Sequence, residues 1–280
     1  MEKCEIIISN PKQFEEKRKR ILMSGAKNLH LVTDFDKTLS KAFDKNKKIH
    51  TIIAQVREGK YLSEEYTKKA FELHAKYYPI EISHNISLKE KLPLMEKWWG
   101  THINLLAANG MNKKIVKDIA KNKIILRKGT LELIKELNKK KIPLLILSAG
   151  LGDIIEEIFK FNNIKSKNTN TISNFFKFDK KGNVTGYKGK IIHSLNKEES
   201  EIKNTPYFKK IKNRKNIILL GDSLDDLKMI EGIHYNEIIK IGFLNDKIEE
   251  NLELYKKAYD VIILNDGTME FATKLIKEIN

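Results

Sequence analysis

Leu29-His30-Leu31-Val32-Thr33-Asp34-Phe35-Asp36-Lys37-Thr38 decides the fold. The run from Leu29 to Thr33 is short and apolar, which predicts a buried strand. It stops at two carboxylates placed two residues apart, Asp34 and Asp36. If the chain stays extended beyond Thr33, both side chains project to one side at the carboxyl end of that strand. Ligands of open α/β sheets bind at this end. There one carboxylate can attack phosphorus while its neighbour moves the proton. Surface carboxylate pairs are common, so the weight falls on the residues further along the chain and on their spacing.

Outward from this stretch, Phe14 to Gly25 has helical periodicity and a terminal glycine, and predicts a helix feeding the strand. After Asp36 the character changes. Tyr61 to Tyr78, Ser87 to Trp99 and Asn112 to Asn122 are amphipathic and helix-like, with no convincing strand between them, and Ser87-Leu88-Lys89-Glu90 has the pattern of a capping box. From Gly129 onward helices alternate with the apolar runs Ile142 to Leu147, Ile217 to Leu220, Ile238 to Ile241 and Val261 to Leu264. Such unbroken runs rich in Ile and Leu suit parallel strands covered on both faces. Phe175 to Tyr187, with Asp179-Lys180-Lys181-Gly182-Asn183 in its middle, predicts an antiparallel hairpin. The helical block falls between the first strand and the next core element. The expected division is therefore an α/β core of residues 1–42 and 125–280, with 43–124 inserted.

Bulk properties narrow the class. The 280 residues are 41% hydrophobic and 32% charged, as in an ordinary globular protein. No apolar stretch approaches the roughly 20 residues that span a bilayer, and Met1 to Asn10 is too polar for a signal peptide. Cys4 is the single cysteine, which excludes an intrachain disulfide and a cysteine metal site. A cytoplasmic protein with no membrane partner is expected. The net charge of +16 invites a nucleic-acid reading. Yet only five of the 53 basic residues are arginines: Arg18, Arg20, Arg57, Arg127 and Arg214. Dedicated nucleic-acid surfaces favour arginine for bidentate phosphate and guanine contacts. The lysines lie scattered among isoleucines and asparagines, so solvated lysine faces that attract small anions are the better reading.

Further strand ends match the carboxylate pair. Ile142 to Leu147 runs into Ser148-Ala149-Gly150, where a hydroxyl and small residues ahead of a helix let backbone N–H groups approach a phosphate. Ile217 to Leu220 runs into Gly221-Asp222-Ser223-Leu224-Asp225-Asp226, whose acids can complete an oxygen-ligand Mg²⁺ site with Asp34. Between them lies Lys197, a cation able to offset charge on pentavalent phosphorus. Each has a plainer reading alone: a strand-to-helix turn, helix-capping acids, one lysine among many. Together at strand ends they read as phosphoryl-transfer machinery.

The D-x-D-x-T pattern of Asp34 to Thr38 resembles motif I of the haloacid dehalogenase superfamily of phosphatases. Beyond it, the chain is similar over nearly its whole length to the cytosolic 5′-nucleotidase III (pyrimidine 5′-nucleotidase) family. The similarity is carried by Thr33 to Ser40, Lys76-Tyr77-Tyr78-Pro79-Ile80-Glu81, Leu147 to Asp153, Ser173-Asn174-Phe175, Ile217 to Ser223 and Lys240 to Asp246. The resemblance implies a Rossmann-like parallel-sheet core with an inserted α-helical cap, and Mg²⁺-dependent hydrolysis of nucleoside 5′-monophosphates, CMP and UMP favoured, through an aspartyl-phosphate. By it Asp34 is the nucleophile and Asp36 the acid/base. Mg²⁺ sits between the Asp34 side chain, the Asp36 carbonyl and Asp222, with Asp226 in support. Ser148, Ala149 and Lys197 hold the phosphate, and Glu81 reads the base. A carboxylate in a desolvated pocket suits an exocyclic amine such as that of cytosine. Of the aromatics Tyr77, Tyr78, Trp98 and Trp99, at least two are expected in the helical core and others free to stack.

Three departures bear on the substrate. His102 stands where the family carries a small hydroxyl residue said to help bind the base, and is expected to change pocket volume and charge. Asp225 replaces a usual glycine near the metal. Residues 50–60 match poorly. A purine or 7-methylguanosine monophosphate nucleotidase is the alternative on the same chemistry. A catalytically idle, lysine-rich nucleic-acid binder is the alternative of another class, and the set Asp34, Asp36, Lys197 and Asp222 argues against it. The expected partner is a small nucleoside monophosphate, and the expected state a monomer.

Overall fold

Asn10 and Pro11 start the first helix: the Asn10 side chain accepts from the Gln13 amide at 3.0 Å, and Pro11 fills a first-turn position that needs no N–H. A computed structural model describes residues 5–83, 85–164, 168–197, 207–232 and 234–280; Cys4 lies outside them. Strand β1 (Ile6–Ile8) precedes helix α1 (Pro11–Ser24), and β2 (Leu29–Thr33) follows, all five of its residues buried. A short ribbon, β3 (Phe43–Asp44) and β4 (Lys47–Lys48), leads to α2 (Ile52–Glu58), α3 (Glu64–Ile82), α4 (Leu88–Ala108) and α5 (Lys113–Asn122). Alternation then begins with α6 (Thr130–Lys139), β5 (Leu144–Leu151), α7 (Gly152–Phe161), β6 (Thr169–Phe178) and β7 (Val184–Lys188). It ends with α8 (Phe208–Ile211), β8 (Asn216–Gly221), β9 (Glu237–Leu244), α9 (Ile248–Ala258), β10 (Val261–Leu264) and α10 (Glu270–Glu278).

The main sheet runs β1-β10-β9-β8-β2-β5-β6-β7. From β10 to β6 every pairing is parallel, while β1 and β7 close the edges antiparallel. This is the Rossmann-like parallel core expected from the apolar runs. The chain proceeds outward from β2 to β5 and β6, then crosses to β8 on the other side, so the strand order reverses next to β2. Crevices form at such a switch point, beyond the carboxyl ends of the strands. Asp34, Ser148 and Asp222 all lie at or near those ends.

The helices between β2 and β5 start as their caps dictate. Ser87 and Glu90 form the predicted capping box of α4, and the Asn112 side chain accepts from two amides of α5. Tyr77, Met95 and Trp98 of α3 and α4 form a small buried cluster with Leu195, while the other apolar faces join the core of the sheet. One buried cluster runs from Leu31, Phe35 and Ile146 through Ile52, Tyr66 and Ile103 to Val116 and Ile155. The β6–β7 hairpin is fastened to the same helices, the Val184 amide donating to Met111 O at 2.9 Å and the Lys113 amide to Gly182 O at 3.0 Å. No described helix is long and apolar enough to cross a membrane.

Three expectations need correction. Helix α3 does not stop at Tyr78 but runs to Ile82 through Pro79, so Glu81 is helical. The reason is tertiary: the buried Lys91 ammonium donates to the carbonyls of Glu81 and Ser83, capturing groups that a helix end leaves open. Strand β5 does not end at Leu147 but continues through Ser148-Ala149-Gly150 to Leu151, where it pairs with Asn174 after a register irregularity. The stretch after Asp36 is not purely helical either, since β3 and β4 pair there.

Candidate active site

The strand ends converge on Lys197. Its ammonium donates to Asp34 Oδ1 and, at 2.9 Å, to Asp226 Oδ1, and all three side chains are buried. Asp34 leaves β2 with its amide still bonded to Leu220 O of β8 at 3.1 Å, which fixes where its carboxylate stands. Asp226 uses its other oxygen on the Asp222 amide at 2.9 Å, the Ser223 amide at 3.0 Å and Ser223 Oγ at 3.1 Å. It is thus both the capping acid of its turn and a partner of Lys197. This close packing explains Gly221, where a Cβ would meet the Asp226 Cβ at 2.5 Å. Tyr255 and Tyr259 hold the same turn by donating at 2.5 Å to the carbonyls of Asp222 and Ser223.

Asp36 sits in the turn after β2, and its Oδ1 accepts from the Ile52 amide at 3.1 Å. A cavity of about 260 Å³ brings together Asp34, Asp36, Lys37, Ser148, Ala149, Gly150, Lys197, Asp222 and Asp226. Ser148 Oγ accepts from the Gly150 amide at 3.0 Å. The neighbouring carbonyls are taken from behind: Asn174 Nδ2 donates to Ala149 O and Ser173 Oγ to Gly150 O, each at 3.0 Å. Ser173 and Asn174 therefore shape the segment that the sequence reading assigned to phosphate. Their signal in the sequence was the segment Ser173-Asn174-Phe175, which carried part of the family resemblance.

Crowding of acids sets the electrostatics. Burial raises the Asp36 carboxyl to about 7, with the Asp34 charge adding to the effect and the Ile52 amide opposing it. Burial also raises Asp34, to about 6; Lys197 works against that rise and Asp226 with it. Asp222 is raised by burial and by the nearby Asp226 and Asp34. Burial alone would lower Lys197, but Asp226 and Asp34 outweigh it and the ammonium is stabilised. Carboxylate oxygens of Asp34, Asp222 and Asp226 lie within 4.8 Å of one another. An all-oxygen, anionic donor set of this kind fits Mg²⁺ better than Zn²⁺. Both oxygens of Asp226 are engaged, by Lys197 and by the turn at Ser223, whereas Lys197 takes only Oδ1 of Asp34.

A second cavity of about 250 Å³ adjoins the first, sharing Thr51, Ile53 and Trp99. Glu81, His102, Trp98, His74, Tyr78 and Arg57 line it. Glu81 Oε1 accepts from Ser194 Oγ at 2.5 Å, and burial, opposed by this bond, raises its carboxyl. Tyr77 and Trp98 stack at 5.8 Å within a buried cluster with Met95 and Leu195, so these two are core, as expected of at least two of the cap aromatics. His102 Nε2 lies 3.0 Å from the Tyr66 hydroxyl, and burial, with Arg57 and His74 nearby, pushes it down to about 4. The expectation that His102 changes pocket charge is therefore corrected: at neutral pH it is an uncharged wall. Asp225 lines the first cavity and is paired with Lys228 at 2.7 Å.

Comparison with known proteins agrees with this geometry. A sequence model described as Pyrimidine 5′-nucleotidase (UMPH-1) matches residues 37–280. The 7-methylguanosine phosphate-specific 5′-nucleotidase A of Xenopus laevis is 38% identical over 270 residues, covering 96% of this chain and 93% of the relative. The human 7-methylguanosine phosphate-specific 5′-nucleotidase is 36% identical over 279 residues, covering 99% and 93%. Among solved structures, cytosolic 5′-nucleotidase IIIB bound to cytidine superposes with a TM-score of 0.84 at 27% identity, covering 98% of this chain and 93% of that one.

Proposed function

The chain belongs to the pyrimidine 5′-nucleotidase (UMPH-1) family of haloacid dehalogenase-type 5′-nucleotidases, and we propose that it hydrolyses nucleoside 5′-monophosphates through an aspartyl-phosphate, with Mg²⁺ as cofactor. The observation that carries this reading is the buried Asp34–Lys197–Asp226 cluster beside Asp36, in a cavity that shares Thr51, Ile53 and Trp99 with a second one of about 250 Å³. An Asp34 oxygen attacks phosphorus as the bond to the nucleoside 5′-oxygen breaks, and Asp36 gives that oxygen its proton. Asp36 then takes a proton from the water that cleaves the aspartyl-phosphate, releasing inorganic phosphate. A carboxyl raised to about 7 suits both halves of this exchange near neutral pH. Lys197, with Ser148 and the backbone at Ala149, holds the phosphoryl oxygens. The Asp34 side chain, the Asp36 carbonyl and Asp222 would hold Mg²⁺, which would supply positive charge against the phosphate and the crowded acids. Phosphate release from a panel of nucleoside monophosphates tests the assignment. Activity should vanish in excess chelator and return with Mg²⁺, and full turnover in chelator, with no metal retained by the protein, would remove the ion from the site.

The base sits in the second cavity, read by Glu81. A carboxylate acceptor favours CMP over UMP, because the cytosine amine donates where the uracil carbonyl repels. A second reading, 7-methylguanosine monophosphate, has specific support. Methylation leaves that base cationic, and the cavity is lined by Glu81 together with the aromatic residues Trp98, Trp99 and Tyr78. The Xenopus and human relatives carry that nucleotide in their names, whereas the solved neighbour holds cytidine. Glu81→Gln should cut the preference for CMP over UMP by roughly 1–3 kcal/mol, the scale of one charge-assisted hydrogen bond. The readout is the ratio of kcat/KM for CMP, UMP, GMP and 7-methyl-GMP in the parent, Glu81→Gln and His102→Ser. Ratios that do not move would place base recognition elsewhere. A cytoplasmic monomer, its lysine surface gathering small anions without selecting nucleic-acid sequence, completes the reading.

A further inference from the structure

The second cavity holds a charged group for which the phosphoryl chemistry has no use. Arg57 projects from α2 into the wall it shares with Glu81, His74 and His102, and it does not border the cavity of Asp34 and Lys197. Its side chain is 11% exposed. It is fixed from two directions: Nη2 donates to Glu58 Oε1 at 3.0 Å, and the guanidinium carbon lies 5.0 Å from the centroid of the Phe71 ring. Glu58 is itself steadied by His50, whose Nε2 stands 3.3 Å from its other oxygen. Beyond Glu58, no acceptor among the described residues takes a hydrogen bond from this guanidinium, and its Nε is buried without one. A guanidinium carries five donors in a rigid fork, and a buried donor left without an acceptor is costly unless a ligand meets the group.

Nucleobases offer what this guanidinium lacks. Cytosine, uracil, guanine and 7-methylguanine each carry a ring carbonyl oxygen, and adenine carries none. Building on the nucleotidase reading above, we propose that Arg57 is a second reader of the base, donating to a ring carbonyl oxygen while Glu81 accepts from an amine, so that oxo-bases are taken in preference to adenine. Burial and the Arg57 charge both lower His74 and His102. Among the described residues lining the cavity, the guanidinium is then the one cationic donor at neutral pH.

The test is steady-state kinetics of the parent, Arg57→Met and Arg57→Lys on CMP, GMP, AMP and ribose 5-phosphate. Met keeps the length of the aliphatic stem and removes the fork; Lys keeps the charge without the planar donors. The parent should favour CMP and GMP over AMP by at least ~10-fold, a ratio one charged hydrogen bond can supply. In Arg57→Met, kcat/KM for CMP and GMP should fall by a similar factor of ~10, mainly through KM, while ribose 5-phosphate stays within about two-fold. The CMP:AMP ratio should then approach one, with Arg57→Lys in between. Equal losses on CMP and ribose 5-phosphate in both variants would make Arg57 a structural residue and overturn the proposal, as would an unchanged CMP:AMP ratio. A parent that cleaves ribose 5-phosphate but no nucleotide would remove the nucleotidase reading and this proposal with it, a pattern unlike either of the others.

Discussion

Asn in place of Asp34 is expected to lower kcat by at least about 10³-fold, because the attacking oxyanion is lost while the shape of the side chain is kept. The variant should fold. Lys197 still reaches Asp226 at 2.9 Å, and the Asp34 backbone remains bonded to Leu220 O. The loss then reports chemistry and not collapse of the site. Phosphate release gives the rate, and acid-quenched reactions with labelled nucleotide show whether a phosphoenzyme forms. None should form in Asp34→Asn. Asp36→Asn should be severely slowed yet still allow some phosphoenzyme, because it removes the proton donor and leaves the nucleophile. Activity within about ten-fold of the parent in Asp34→Asn would exclude Asp34 from covalent catalysis.

The core was legible in the sequence because its strands are buried on both faces. Unbroken runs such as Ile217 to Leu220 and Val261 to Leu264 admit few other readings, and the acids or hydroxyls that end β2, β5 and β8 fall together once the sheet is parallel. What escaped had its cause far away along the chain. Helix α3 passes Pro79 because Lys91, on the next helix, takes its last carbonyls. Strand β5 passes Ser148 because Ser173 and Asn174 hold it from β6. His102 read as a charge because its type titrates near neutrality, whereas burial beside Tyr66 and Arg57 makes it neutral. No element was read from residues 50–60, and α2 with Arg57 was found there. One signal was present in the sequence. In a chain with 48 lysines, four of the five arginines stand where a point charge would not serve. Arg18 bridges Glu15 and Glu278, Arg214 takes the carbonyls of Ala26 and Leu29, and Arg57 and Arg127 lie against aromatic rings.

Arg127 is the arginine whose removal should destabilise the fold most. It is buried, its guanidinium carbon 4.3 Å from the centroid of the Phe243 ring. Nε donates to Thr38 O at 2.6 Å and Nη1 to Gly267 O at 2.7 Å, while Nη2 reaches Lys37 O and, at 3.0 Å, Asn245 Oδ1. Nη1 also pairs with Asp266 Oδ1 at 3.0 Å, and the Asp266 carboxylate accepts the amides of Ala42 and Phe43. One side chain thus joins the turn after Asp36 to the segments that follow β9 and β10. Lys37, in the left-handed region at φ 59°, and Thr38 have their carbonyls held by it. Arg127→Met keeps much of the apolar volume but takes away the main partner of Asp266, leaving it two amides and the Lys41 ammonium at 3.9 Å, so it should cost about 3 kcal/mol of stability. That corresponds to a melting temperature lower by roughly 10 °C in a chain of this size. Arg127→Met combined with Asp266→Asn should lose less than the sum of the two single changes, because the second removes the charge that the first leaves with a weaker partner. Denaturant midpoints of the four proteins measure this directly. A single Arg127→Met change costing under about 1 kcal/mol, or strictly additive losses, would mean that the turn holds its shape without the pair. In that case the position of Asp36 would rest on the Ile52 amide and β2 alone.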